Sequence, residues 1–235
     1  MKLKNNGIFN LSTWEKFAPP MGGAKQWKEG RSAMEFARYL TADYPNVPKE
    51  IEKLLLNFTD ASSELDWEAE YVTDFSSCNL GRGAGRNHDA FMFNNDVVVG
   101  IEAKADEALG TQVIGEALKK ASDNKRLRIN GMIEMLFGDE PDNHKDIRYQ
   151  LITASTAMLI EAKKRNVSNA VLIVIAFKKE GCYNEEKIQR NHSDIAVFLN
   201  EISATACGDY YLLPTPFGSE NGIKLYFKYI EALLG

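Results

Sequence analysis

Cysteine is scarce in this chain: Cys78, Cys182 and Cys207 are odd in number, far apart and without a CxxC pair. That excludes a disulfide framework and a thiolate zinc site, and leaves the three to be read as small buried residues. Histidine is as sparse, and the scatter of His88, His144 and His192 argues against a histidine-built metal cluster. No apolar run approaches bilayer length; the longest, VLIVIAF at 171–177, falls far short, and MKLKNNGIFN has no signal-peptide core. A cytoplasmic protein with no membrane partner is therefore expected. Positive charge is not in excess either. A formal net charge of −5 gives no global attraction to nucleic acid, so a partner of that kind must be held by local charge. Repeats, low-complexity tracts, a Ser-His-Asp elbow, a P-loop and a helical HExxH motif are all missing, which removes several common enzyme classes.

What is present is ordinary for a folded α/β protein: 235 residues, 44% hydrophobic, 26% charged and 10% aromatic. This length supports one substantial core and a single domain over 1–235. Residues 1–30, with APPMGG at 18–23, read as an irregular N-terminal arm. A helix is expected over 31–43 with Ser32 at its N-cap, and a second near 48–58. WEAEYVTDF (67–75) alternates as a strand with Trp67, Ala69 and Tyr71 on one face, and a glycine-rich loop then leads into a hairpin. Residues 107–136 look helical, split near Asn130-Gly131. A helix at 147–165, a buried strand at 169–177, a helix near 185–202, a strand at 210–214 and a terminal segment from Ile223 follow. Strands interleaved with helices imply a layered α/β domain with a mixed sheet.

The hairpin RNHDAFMFNNDVVVGIEAK (86–104) carries the chemistry. Glu102 and Lys104 close an apolar run, and on a strand residues two apart point to the same face. If Asn94-Asn95 form a two-residue turn, Phe93 faces Asp96, Met92 faces Val97 and Asp89 falls opposite Gly100. Asp89, Gly100, Glu102 and Lys104 then project together, with Gly100 leaving space between the two acids. A loop one residue longer would turn Asp89 to the other face. In the two-residue register the carboxylates are diagonal neighbours, roughly 7–8 Å apart at the backbone, and can reach one ion. Two oxygen ligands with water positions left free suit Mg²⁺ or Mn²⁺ better than zinc. The Lys104 ammonium would stabilise charge developing on a phosphate or orient a water. The competing reading of Glu102 and Lys104 is a solvent-facing salt bridge at the end of an edge strand.

The pairing of HD (88–89) with GIEAK (100–104) across a hairpin resembles the PD-(D/E)XK nuclease superfamily. That resemblance implies a restriction-endonuclease-like three-layer core ordered αβββαβ over about 31–177, with extra helices and a C-terminal extension at 178–235. His88 stands where the family's name-giving proline would be. By resemblance, Asp89 and Glu102 are metal ligands, Lys104 is the catalytic lysine and the Ala103 carbonyl is a further ligand. Glu35 in the first helix is the candidate for an additional acidic ligand, with Glu68 and Glu70 as competitors. Gln150, on the helix after the motif strand, matches a glutamine that some members place there. Arg148 or Tyr149 could reach phosphate nearby, and the glycine-rich loop, with Arg82 and Arg86 flanking Asp89, could grip a phosphate backbone. The expected activity is Mg²⁺- or Mn²⁺-dependent hydrolysis of phosphodiester bonds, with DNA favoured over RNA on the resemblance alone. The alternative is an inactive nuclease-fold protein that binds nucleic acid or regulates. A homo-oligomer stays open.

Two further signals bear on the partner. GRGAGR (81–86) leads into a strand rather than a helix, which rules out a dinucleotide fingerprint. KKASDNKRLR (119–128) holds five basic residues and one acidic one, a local patch of the kind a net-acidic nuclease needs.

Overall fold

The computed structural model describes the chain except residues 21, 79, 82–84, 106, 180–184 and 235, with backbone alone at 77, 179 and 234. Eight strands are β1 (Lys2–Leu3), β2 (Glu64–Thr73), β3 (Arg86–Phe93), β4 (Val97–Lys104), β5 (Asn169–Lys179), β6 (Thr205–Cys207), β7 (Tyr210–Leu213) and β8 (Lys224–Leu234). The helices are α1 (Leu11–Phe17), α2 (Ser32–Thr41), α3 (Lys49–Leu55), α4 (Ile114–Lys119), α5 (Asp123–Phe137), α6 (Tyr149–Arg165), α7 (Glu185–Glu201) and α8 (Pro216–Asn221). The strands form one mixed sheet in the order β1-β2-β3-β4-β5-β8-β7-β6. β4, β5 and β8 run parallel at its centre, while β2–β3–β4 and β6–β7–β8 pair antiparallel.

The apolar run at 171–177 sits in that centre. Both faces of β5 are covered, so it shows no polar alternation, as expected for a parallel strand between two helical layers. Leu172 and Val174 join a core built with Ala154, Met158 and Phe198 of α6 and α7. Val171, Ile173 and Ile175 join one with Phe36 and Leu40 of α2 and Ile51 and Leu55 of α3. α6 is buried from Leu151 to Ala162, and its small Ala154 and Ala157 allow a close approach to the sheet.

The N-terminal arm is not irregular. α1 is opened by Asn10, whose side chain accepts from the Thr13 N–H at 2.9 Å while Thr13 Oγ1 accepts from the Asn10 N–H at 3.0 Å. Trp14 then anchors it, with ring centroids 5.7 Å from both Phe36 and Trp67. Ser32 is the first residue of α2 and not its cap; Arg31 holds that position without a side-chain bond. The helical stretch after β4 breaks at 120–122, not at Asn130-Gly131. Gly131 lies within α5 because a Cβ there would stand 2.5 Å from Leu80 Cδ2, so it serves close packing rather than a turn. Cys78 and Cys207 are half-buried and form no disulfide among the described residues, and Cys182 lies outside them.

The hairpin turn is two residues longer than the two-residue expectation. Phe93 pairs with Val98 and Phe91 with Gly100. The Asn94 side-chain oxygen accepts from the N–H groups of Asp96 (2.9 Å) and Val97 (3.0 Å), which stabilises the wider loop. An even shift leaves the faces unexchanged. Continuing the observed register past its last pair, Ala90 with Ile101, sets Asp89 opposite Glu102 instead of Gly100.

Candidate active site

The β2–β3 ladder switches faces at the site. Ala69 pairs with Ala90, and both belong to the α2 side of the sheet; Tyr71 pairs with His88, and both turn to the α6 side. Tyr71 stacks on Phe91 at 4.5 Å, and His88 Nδ1 would lie 3.0 Å from a Cβ on Gly100. Trp67, Ala69 and Tyr71 therefore do not share a face. The residues between the pairs, Glu70 and Asp89, make the switch, and Glu70 has φ of 52°. A local irregularity of this kind re-aims side chains where a strand meets a functional cleft.

Beyond Ala90 and Ile101 the β3–β4 main-chain ladder stops. Asp89 Oδ2 instead accepts from the Ala103 N–H at 2.6 Å, so a carboxylate stands in for a strand carbonyl. Glu102, one residue earlier on β4, turns toward α6 and is almost wholly enclosed. Arg86 Nε donates to its Oε1 at 3.1 Å and Arg86 Nη2 to its Oε2. Gln150 Nε2 donates to Oε2 at 2.9 Å, and His88 Nδ1 lies 3.2 Å from Oε1. Lys104, buried, donates from Nζ to the Ala103 carbonyl at 2.9 Å. Asp89, Glu102, Lys104, Glu70, Arg86 and Gln150 line one cavity of about 260 Å³, bordered by Pro20 and Gln26 of the N-terminal arm and Ser32 and Ala33 of α2.

The charges differ in kind. Burial, followed by the charge of Glu102, pushes Asp89 up to about 7 against the pull of Lys104 and the Ala103 N–H. Burial would also raise Glu102, but Arg86, the His88 hydrogen bond and Lys104 outweigh it and hold Glu102 at about 2. Glu70 is raised by burial and by Glu102, moderated by Asn87 Nδ2 donating to it at 2.7 Å. One carboxylate is thus fully ionised and the neighbouring one titrates near neutrality.

The loop after β4 is tied to this site. Asn191 of α7, buried, accepts from the Leu109 N–H at 2.9 Å and donates to the Glu107 carbonyl at 3.0 Å. Gly110, at φ of 74°, lets the loop close on Gln150, where a Cβ would stand 3.1 Å from Gln150 Cβ. Ser32 Oγ donates to Glu107 Oε1 at 3.1 Å, joining α2 to the same loop.

Of the residues singled out in the sequence, Asp89, Glu102, Lys104 and Gln150 come together with the Ala103 main chain. Glu35 does not: its carboxylate accepts from the Gly30 N–H at 2.6 Å and pairs with Arg38 at 3.3 Å, in a separate cavity. The first turn of α2 presents Ser32 and Ala33 to the site, and Glu35 points off that face. The acids that join from elsewhere are Glu70 of β2 and Glu107 of the loop after β4. Arg148 is buried and paired with Asp194 of α7 at 2.7 Å, so it is held away from the cleft. Arg86 is bound to Glu102 and does not stand as a separate phosphate grip. Arg82 lies outside the described residues. Gly100 leaves no gap, since Met158 Sδ and Cε would lie 2.7 Å from a Cβ there. His88 is the residue that no local pattern marks out: regular alternation puts it behind the sheet, and only the irregularity at Glu70 and Asp89 brings it to Glu102.

Among the described residues no group of three or more His, Cys, Asp or Glu side chains that could hold a metal ion is found. The donor set on offer is two carboxylates and a main-chain carbonyl, all hard oxygen, which suits an ion that keeps waters and takes further oxygens from a phosphate. The raised Asp89 fits such a set, because its causes, burial first and the charge of Glu102 second, are ones that a cation between the two acids would offset. No helix among the described residues is long and apolar enough to cross a membrane.

Fold and site together define a mixed α/β protein with a carboxylate–lysine cluster where two central strands part. The chain belongs to the family described as domain of unknown function DUF6946, whose model matches residues 8–232. No curated protein and no solved structure matches it.

Proposed function

We propose that this protein is a metal-dependent nuclease that hydrolyses phosphodiester bonds, with DNA favoured over RNA on the PD-(D/E)XK resemblance. The observation that carries the reading is the convergence of Asp89, Glu102 and Lys104 on one cavity at the point where β3 and β4 separate. The chain order α2, β2, β3, β4, α6, β5 is in keeping with the restriction-endonuclease-like αβββαβ core.

Asp89, Glu102 and the Ala103 carbonyl would hold Mg²⁺ or Mn²⁺, which supplies polarisation of the phosphate and acidification of water. Gln150 and Arg86 hold the Glu102 carboxylate in one orientation, with the His88 ring against it. Lys104 keeps an ammonium beside the phosphoryl oxygens as negative charge grows on them. A water oxygen adds to phosphorus, and one ester oxygen leaves with a proton as an alcohol.

The test is incubation of plasmid and single-stranded DNA with the protein, with and without Mn²⁺. Cutting that needs Mn²⁺ and falls by at least about 100-fold in Lys104→Ala and in Asp89→Asn is the expected result. Cutting that survives both changes removes the assignment.

A second reading has its own support. Arg86 satisfies Glu102 without any metal, Glu35 stands apart and the N-terminal arm borders the cavity. These features suit a non-catalytic nuclease-fold protein that binds nucleic acid or regulates. Metal-independent DNA binding with no cleavage under any divalent ion would favour it.

A further inference from the structure

Next to the carboxylate cavity lies a second one of about 430 Å³, and the two share Arg86 and Gln150 in their walls. Their chemistries are opposite. The first is lined by Glu70, Asp89, Glu102 and Glu107 with Lys104 among them, whereas the second adds Arg128 to the shared Arg86 and has no acidic side chain. In a chain of net charge −5, a pocket with that lining is a local reversal of sign.

The second cavity also holds rings and amides. Tyr149, half-buried in the first turn of α6, lines it with Phe75 and Gln112. Lys125 Nζ lies 5.3 Å from the Tyr149 ring centroid and 3.5 Å from Gln112 Oε1, and the Arg128 guanidinium lies 5.8 Å from the Phe75 ring. Lys125 and Arg128 come from the basic segment 119–128, so α5 delivers its charge to this cavity. A flat aromatic surface, amide groups and cations, side by side, are the parts that hold a base by stacking and its phosphate by charge. The volume lies within the range of small-ligand pockets, roughly 300–1,000 Å³.

We propose that this cavity is a nucleotide subsite, taking one unpaired base against Tyr149 while the adjoining phosphodiester reaches across Arg86 into the carboxylate cavity. The inference rests on the nuclease reading for its phosphodiester and deepens it: the substrate is a strand with an unstacked base, single-stranded or locally opened, rather than intact duplex. Arg86 stands at the border of the two cavities, held there by Glu102. Gln150 ties the two cavities together through its bond to Glu102.

The experiment is calorimetric titration of the full chain with 5′-dAMP and 5′-dTMP, and with deoxyribose 5-phosphate as the base-less control, all in EDTA so that no metal contributes. Wild type and Tyr149→Phe are expected to bind the mononucleotides alike and more tightly than the sugar phosphate. Tyr149→Ala is expected to lose about 5- to 100-fold, the range that one stacked base contributes. Equal binding of nucleotide and sugar phosphate by wild type overturns the subsite, and so does unchanged nucleotide binding in Tyr149→Ala. If Tyr149→Ala does not fold, the wild-type comparison alone decides. Because nothing is cleaved in this assay, nucleotide binding by a protein that never cuts DNA would retain the subsite and reject the nuclease.

Discussion

Arg86, the first residue of β3, grips Glu102 of β4 at two points, with Nε 3.1 Å from Oε1 and Nη2 on Oε2. A guanidinium therefore sits on the carboxylate that a divalent cation would need. Removing it leaves an enclosed charge with only Gln150, His88 and Lys104 near it. Arg86→Ala is expected to cost about 3 kcal/mol of stability, the lower end for breaking a buried pair, because Arg86 itself is partly exposed. Thermal unfolding with and without Mn²⁺ checks the rest: Mn²⁺ should raise the melting temperature of Arg86→Ala more than that of wild type. Equal responses would mean that Arg86 and the ion do not compete.

Asp89 makes stability depend on pH in a defined direction. Its carboxyl ionises near 3.8 when unfolded and at about 7 in the folded protein, so between those values the folded state holds a proton that the unfolded state has released. Its contribution therefore falls as pH rises from about 4 to about 7, then levels off. Asp89→Asn, which keeps an acceptor for the Ala103 N–H, should lack this slope. Denaturant unfolding at several pH values measures it. Glu102 acts oppositely: lowered from 4.5 to about 2, it contributes above 4.5 and is lost as pH falls toward 2.

Gly100 is fixed by its neighbours. A Cβ there would meet Met158 at 2.7 Å and His88 Nδ1 at 3.0 Å. Gly100→Ala should destabilise by about 1–3 kcal/mol, as overpacking does, and should displace the ring that lies against Glu102. Chemical denaturation gives the first quantity. A variant as stable as wild type would show that Met158 yields freely.

Much of the layout could be read from local pattern. The helix at 149–165, the buried strand at 169–179 and the hairpin strands announce themselves through periodicity and apolar runs. What could not be read depends on contacts distant in sequence. α1 is short and gains its place from Trp14 packing on Trp67, which its own pattern does not reveal. The split of α4 from α5 has no glycine or proline to mark it, while Gly131, which looked like a break, answers to Leu80. At the site, Glu102 and Lys104 followed from strand alternation, whereas Asp89 sits at the irregularity and joins them through its bond to the Ala103 N–H. His88 escaped, and Glu70 stood only as a competitor to Glu35, because alternation fails between Ala69 and Tyr71 and nothing local signals a positive φ at a glutamate. Glu35 was misplaced for the converse reason: position in the first turn of α2 does not say which way that helix is rotated.

The most direct measurement is anomalous scattering at the manganese edge from crystals soaked in Mn²⁺. One strong peak is expected at the Asp89 and Glu102 carboxylates near the Ala103 carbonyl, with Arg86 moved off Glu102. A peak elsewhere, or no peak with Arg86 still bound to Glu102, would contradict that expectation.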